Sequence, residues 1–174
     1  ENLISDELCD KIIRDNKSSL LFKEATATID HIDHSRKFYY APLKYNKELE
    51  DILNNTVFKR FKPVNMNDLF IGLYKYEQGE GYDRHVESLK GMPLDDKDQY
   101  VDTVDIALNN NGKTQIYDDW RQNNRWEFAT INCKKGQMLE YKTYQHVQYN
   151  KLKEGVRYQL LIFLKNSDYK KHPI

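Results

Sequence analysis

The sequence is poor in the features that usually narrow a function. It has only two cysteines, Cys9 and Cys133, too few for a disulfide framework, and neither sits in a Cys-x-x-Cys pair. Both are expected as free, buried thiols. Net charge is absent as well: 27 Lys+Arg balance 27 Asp+Glu. The chain as a whole therefore has no electrostatic bias toward nucleic acid or an anionic membrane, and neither partner is expected. No apolar run nears the roughly 20 residues that span a bilayer, and no signal-peptide pattern opens the chain. The expected location is cytoplasmic. Repeats, low-complexity tracts and linkers are missing too, so one domain over residues 1–174 is expected, long enough to bury a core without staples.

Tyrosine is abundant, with 13 residues, so aromatic rings are expected to form much of the core and of any pocket. Near the N-terminus Ser5 can cap a helix, Asp6 and Glu7 suit its positive end, and Leu8, Ile12 and Ile13 form one apolar stripe. That helix should fade near Asn16. A mixed stretch runs from Leu20 to Tyr40 and includes His31-Ile-Asp-His34, which reads as incidental loop histidines. A second helix is expected over residues 46–61, capped by Asn46 and ended by Pro63.

Beyond this point the period becomes alternating. Strands are expected over 69–76, 101–108, 113–117, 126–131, 137–147 and 156–164, with turns at Asn109–Gly112, Lys134–Gly136 and Lys153–Gly155. The polar stretch from Asp118 to Arg125, which carries Trp120, Arg121 and Arg125, reads as an exposed loop. Two helices followed by seven or eight short strands predict an α+β chain with helices packed on a β sandwich or jelly roll.

The chemistry concentrates in Tyr76-Glu-Gln-Gly-Glu-Gly-Tyr82-Asp-Arg-His85-Val-Glu87. His85 and Glu87 stand two apart after a glycine-punctuated bend, and a strand's period of two aims both at one side. Two imidazoles and a carboxylate on one face leave the other positions of a ferrous ion open, and His146 is the best placed third ligand. Arg157 follows across a predicted hairpin turn, and its planar donors suit the carboxylate tail of a co-substrate.

These segments resemble the 2-oxoglutarate- and Fe(II)-dependent dioxygenases, in particular the prolyl 4-hydroxylase branch. Tyr82-Asp-Arg-His85-Val-Glu87 resembles that branch's Y-x-x-H-x-D. Gly136-Gln-Met-Leu139-Glu-Tyr141, His146 and Gly155-Val-Arg157-Tyr158-Gln-Leu160 resemble its later G-x-x-L-x-F, H-x-V and G-x-R-Y-x-L. The resemblance implies a double-stranded β-helix (jelly-roll) core. It implies that His85, Glu87 and His146 bind Fe(II), and that Arg157 and Tyr76 hold 2-oxoglutarate with Gln159 in the same pocket. It further implies dioxygen as co-substrate, ascorbate as an optional addition, and hydroxylation of a prolyl or other amino-acid-like group in a peptide or small molecule, with 2-oxoglutarate decarboxylated to succinate.

Three features depart from the pattern. Glu87 replaces Asp and adds a methylene, Gln159 stands where relatives often carry Ser, and Val147-Gln-Tyr-Asn150 after His146 is longer than usual. An oxygenase of a free small molecule or nucleobase, and a non-catalytic jelly-roll module suggested by Glu87, are the alternatives.

Overall fold

The computed structural model describes residues 4–29, 32–43, 47, 70–87, 91–122, 125–143 and 145–165. Helix α1 runs Asp6–Asn16. Ser5 caps it, its Oγ accepting the Leu8 N–H at 3.2 Å, and Asp6 and Glu7 occupy the first turn. The Asn16 amide donates to the Ile12 carbonyl at 2.8 Å, and the chain tightens into a 3-10 turn at Lys17–Ser19. The second helix expected over 46–61 lies outside the described residues, apart from Lys47.

Ten strands follow: β1 Leu21–Ile29, β2 Ile32–Pro42, β3 Phe70–Tyr76, β4 Gly81–His85, β5 Tyr100–Ala107, β6 Thr114–Gln122, β7 Arg125–Ile131, β8 Met138–Lys142, β9 His146–Tyr149 and β10 Arg157–Lys165. Every strand pairing is antiparallel, in the order β7-β6-β9-β4-β2-β3-β10-β5-β8, with β1 beside β2. Strand β2 joins two four-stranded halves. Its residues Tyr39–Pro42 pair with β3, while Arg36 and Lys37 pair with β4.

The half β3-β10-β5-β8 has two buried faces. On β10, Leu160, Ile162 and Leu164 join Leu73, Val104 and Ile106 under Ile4, Cys9 and Ile12 at α1. Leu161 and Phe163 turn the other way, onto Phe38, Tyr74, Tyr76, Tyr141, Val147 and Tyr149. A strand buried on both sides reads as a continuous apolar run, which is why Leu160–Leu164 shows no alternation. Rings from both halves meet in this second cluster, so the sheet curls around an aromatic interior. The fold is a jelly roll with α1 packed on one outer face. No helix among the described residues is long and apolar enough to cross a membrane.

Several sequence expectations are corrected. The mixed stretch from Leu20 to Tyr40 holds two paired strands, β1 and β2, in register from Leu21↔Tyr40 to Ile29↔Ile32; His34, expected in a loop, is on β2, and His31 lies outside the described residues. Residues 118–122, expected in a loop, belong to β6, and Arg125 starts β7, with Arg121↔Trp126 and Gln122↔Arg125 in register; residues 123 and 124 lie outside the described residues. The strand expected over 137–147 divides into β8 and β9 about a turn in which the Gln145 N–H donates to the Lys142 carbonyl at 3.0 Å. Both cysteines are free, Cys9 buried and Cys133 only partly so.

Candidate active site

The bend between β3 and β4 sets the first group of side chains. Gly79 takes a φ of +81°, and the Glu80 N–H closes the turn on the Glu77 carbonyl at 2.9 Å. Gly81 then lies so close to β9 that a Cβ there would sit 2.7 Å from the Tyr149 carbonyl oxygen. This close approach seats β4 on β9, with His85 opposite Val147.

His85 ends β4. Its Nδ1 is 2.7 Å from the Asp83 carbonyl oxygen and its Nε2 is 2.7 Å from Glu87 Oε1. A carbonyl only accepts, so Nδ1 carries hydrogen, and the second contact needs a proton between ring and carboxylate. The ring of Tyr82 stacks on the imidazole at a centroid distance of 3.4 Å, and both His85 and Glu87 are nearly buried. Behind them the Tyr149 hydroxyl donates to Glu87 Oε1 at 3.5 Å, and the Tyr141 and Tyr149 hydroxyls bond each other. Burial raises the pKa of Tyr76, Tyr141 and Tyr149 well above the usual phenol value, so these hydroxyls stay neutral. A cavity of about 140 Å³ opens beside the pair, lined by Arg36, Phe38, Tyr74, Tyr82, Glu87 and Tyr100 among others.

The second group, the floor, lies outside the lining of that cavity and joins the pair through Tyr149, whose hydroxyl reaches Glu87 and whose ring faces Arg157. Arg157 starts β10 opposite Tyr76 and is only 6% exposed. Its Nη2 donates to Thr114 Oγ1 at 2.7 Å and its Nη1 to the Lys113 carbonyl at 3.2 Å. Asp105 Oδ2 lies 3.7 Å from Nη2, and the guanidinium sits 5.2 Å from the Tyr149 ring and 5.9 Å from that of Tyr76. Burial pushes the Asp105 carboxyl up to about 6 despite the neighbouring guanidinium, which pulls it down. Gln159, two residues along the face of Arg157, is fully buried with neither amide atom hydrogen-bonded, and the Tyr76 hydroxyl and Thr103 Oγ1 are likewise unpaired. Buried polar atoms of this kind mark a place for a polar ligand or water.

His146 is the predicted site residue that the strands do not bring to this centre. Val147 and Tyr149 point inward to the aromatic cluster, so alternation turns His146 and Gln148 to the other face of β9. There Tyr117, the register partner of His146, bonds Gln115 and Gln148 through its hydroxyl at 3.2 and 3.3 Å. Among the described residues no three His, Cys, Asp or Glu side chains are gathered as a metal ion requires.

Neither a family model nor a curated protein matches the sequence. Solved structures do match the fold. A Trichoplax adhaerens prolyl hydroxylase in complex with a hypoxia inducible factor peptide fragment aligns at a TM-score of 0.66 and 14% identity, covering 95% of this chain and 81% of its own. A Pseudomonas putida prolyl-4-hydroxylase gives 0.63 at 12% identity, covering 94% and 89%. The 2-oxoglutarate complex of a viral collagen prolyl hydroxylase from Paramecium bursaria Chlorella virus-1 gives 0.57 at 16%, covering 94% and 92%. The chain has the fold of the 2-oxoglutarate- and Fe(II)-dependent oxygenases.

The two groups these oxygenases use fit this interior unequally. A keto-diacid suits the floor, where a buried guanidinium, a neutral phenol and an unpaired amide share one face of the β3–β10 pair. For iron the match is partial. His85 has its Nδ1 tied to a carbonyl, as metal-ligating imidazoles do, and Glu87 stands beside it. The third donor named from the sequence faces away, so the three-residue set does not fit as it stands. Sequence reading also missed Asp105, Thr114, Tyr141 and Tyr149. Asp105 had a signal: it is one acid inside the apolar run Val104-Asp-Ile106-Ala-Leu108.

Proposed function

We propose that the chain is an oxygenase of the 2-oxoglutarate-dependent class that hydroxylates a prolyl or other amino-acid-like group, with succinate as co-product. The observation that carries this reading is the floor: Arg157, buried and held by Thr114 and Lys113, beside polar atoms of Tyr76 and Gln159 that no protein group satisfies. Arg157 binds the distal carboxylate of the co-substrate. The Tyr76 hydroxyl, neutral at any working pH, and the Gln159 amide donate to the same acid and fix its orientation. Phe38, Tyr74 and Phe163 keep water from the reacting end. His85 and Glu87 face that end, with Nε2 and Oε1 2.7 Å apart. Iron, where bound, would be held by His85 and Glu87, with the shared proton displaced, and would supply dioxygen activation. The Trichoplax enzyme's peptide complex supports a peptide substrate over a free small molecule.

A second reading, a non-catalytic barrel that binds the acid without turning it over, is favoured by His146 facing outward. One assay separates them. The protein is incubated with 2-oxoglutarate, ferrous salt and a proline-rich peptide panel, and succinate is measured. Succinate formation that His85→Ala abolishes supports the oxygenase; saturable 2-oxoglutarate binding with no succinate under any peptide establishes the binding barrel.

A further inference from the structure

The floor arginine already has a counter-ion. Asp105 is on β5, its Oδ2 3.7 Å from Arg157 Nη2, and both side chains are more than nine-tenths buried. Register explains the meeting: β10 lies between β3 and β5, with Leu161 opposite Asp105, so Asp105 shares the interior face with Arg157 and Gln159. A ligand carboxylate arriving at Arg157 thus meets a second carboxylate inside a poorly screened interior. Two like charges on one guanidinium cost binding energy there, where Coulomb interactions are strong. The other groups facing Asp105 do not relieve this: Tyr76, Tyr141, Tyr149 and Cys133 are pushed up by burial and stay neutral, while Glu87 adds negative charge.

We propose that Asp105 is the specificity-determining residue of this floor, an internal competitor that a dicarboxylate must displace from Arg157 to bind. The inference rests on the proposed co-substrate site and goes beyond it by stating what limits its occupancy. Asp105 weakens 2-oxoglutarate and favours acids that bind when it is neutral. Asparagine keeps the shape and removes the competing charge.

The test is calorimetric titration of 2-oxoglutarate into wild type, Asp105→Asn and Arg157→Met at about pH 7.5, with wild type repeated at about pH 5.5. Asp105→Asn is expected to bind at least about tenfold tighter than wild type. Wild type is expected to tighten on acidification, as Asp105 takes up a proton, and Arg157→Met to lose binding. The wild-type pH comparison stands even if Asp105→Asn does not fold. Equal or weaker binding by Asp105→Asn, or wild-type affinity that is flat or falls on acidification, overturns the proposal. If wild type binds through Arg157 and Asp105→Asn gains nothing, only the competitor idea fails. If Asp105→Asn alone binds, the competitor is real and the co-substrate reading fails. If no form binds, both fail.

Discussion

Arg157→Met is expected to lose about 3–5 kcal/mol of stability near neutral pH, the usual cost of breaking a buried ion pair by removing one partner. The guanidinium holds four things at once: Thr114 Oγ1, the Lys113 carbonyl, the Asp105 charge and the faces of Tyr76 and Tyr149. Methionine fills part of the volume and satisfies none of them. The loss should depend on pH, and the sign follows from Asp105. Its carboxyl is raised from 3.8 to about 6 in the fold. A raised acid costs nothing below its unfolded value and a growing amount as pH rises through its folded value. For wild type that cost is on the order of 3 kcal/mol above about pH 6. Without Arg157 the carboxyl rises further, and the penalty keeps growing past that point. Urea denaturation at about pH 5 and about pH 7.5 checks this. The part of the deficit owed to Asp105 should vanish at the lower pH while the lost hydrogen bonds persist, and an equal deficit at both would rule out any contribution from Asp105.

Gly112→Ala should be nearly as damaging, and for a backbone reason. Gly112 has a φ of +106°, a conformation that L residues rarely adopt, and an added Cβ would lie 2.3 Å from Arg157 Cδ. Backbone strain of this type costs about 1–3 kcal/mol, and forcing the buried arginine stem aside adds to it. We expect a loss of about 2–4 kcal/mol with 2-oxoglutarate affinity down more than tenfold. Thermal melting and calorimetry read both. Unchanged affinity in a folded Gly112→Ala protein would show that the arginine's placement does not depend on this glycine.

How much of this was legible from the residues depends on where each one packs. Helix α1 was readable because its cap, first-turn acids and apolar stripe agree, and Cys9 and Ile12 do face the core. Strand β10 was readable as a strand but not as two-sided, since an apolar run does not say what covers each face. The β1–β2 hairpin was missed because its opening residues bury nothing that would stamp a period: Leu21 is 65% exposed and Phe22 49%. His85 and Glu87 were singled out by local spacing after a turn, which fixes direction over two or three residues, and the fold sets them 2.7 Å apart; Arg157, singled out beside them, is buried. His146 was not fixed in the same way. One residue of register decides whether a strand side chain faces in or out, and Val147 and Tyr149 hold the inward places.

Strand β10 occupies the middle of its half, between β3 and β5, and bonds Arg157 to Tyr76 and Leu160 to Ile106. The piece that unites the two neighbours follows both of them in the chain. Until it pairs, β3 and β5 each present an unpaired, strongly apolar edge, the condition that seeds aggregation. Closure of this half is consequently governed by long-range pairing rather than by the local helix.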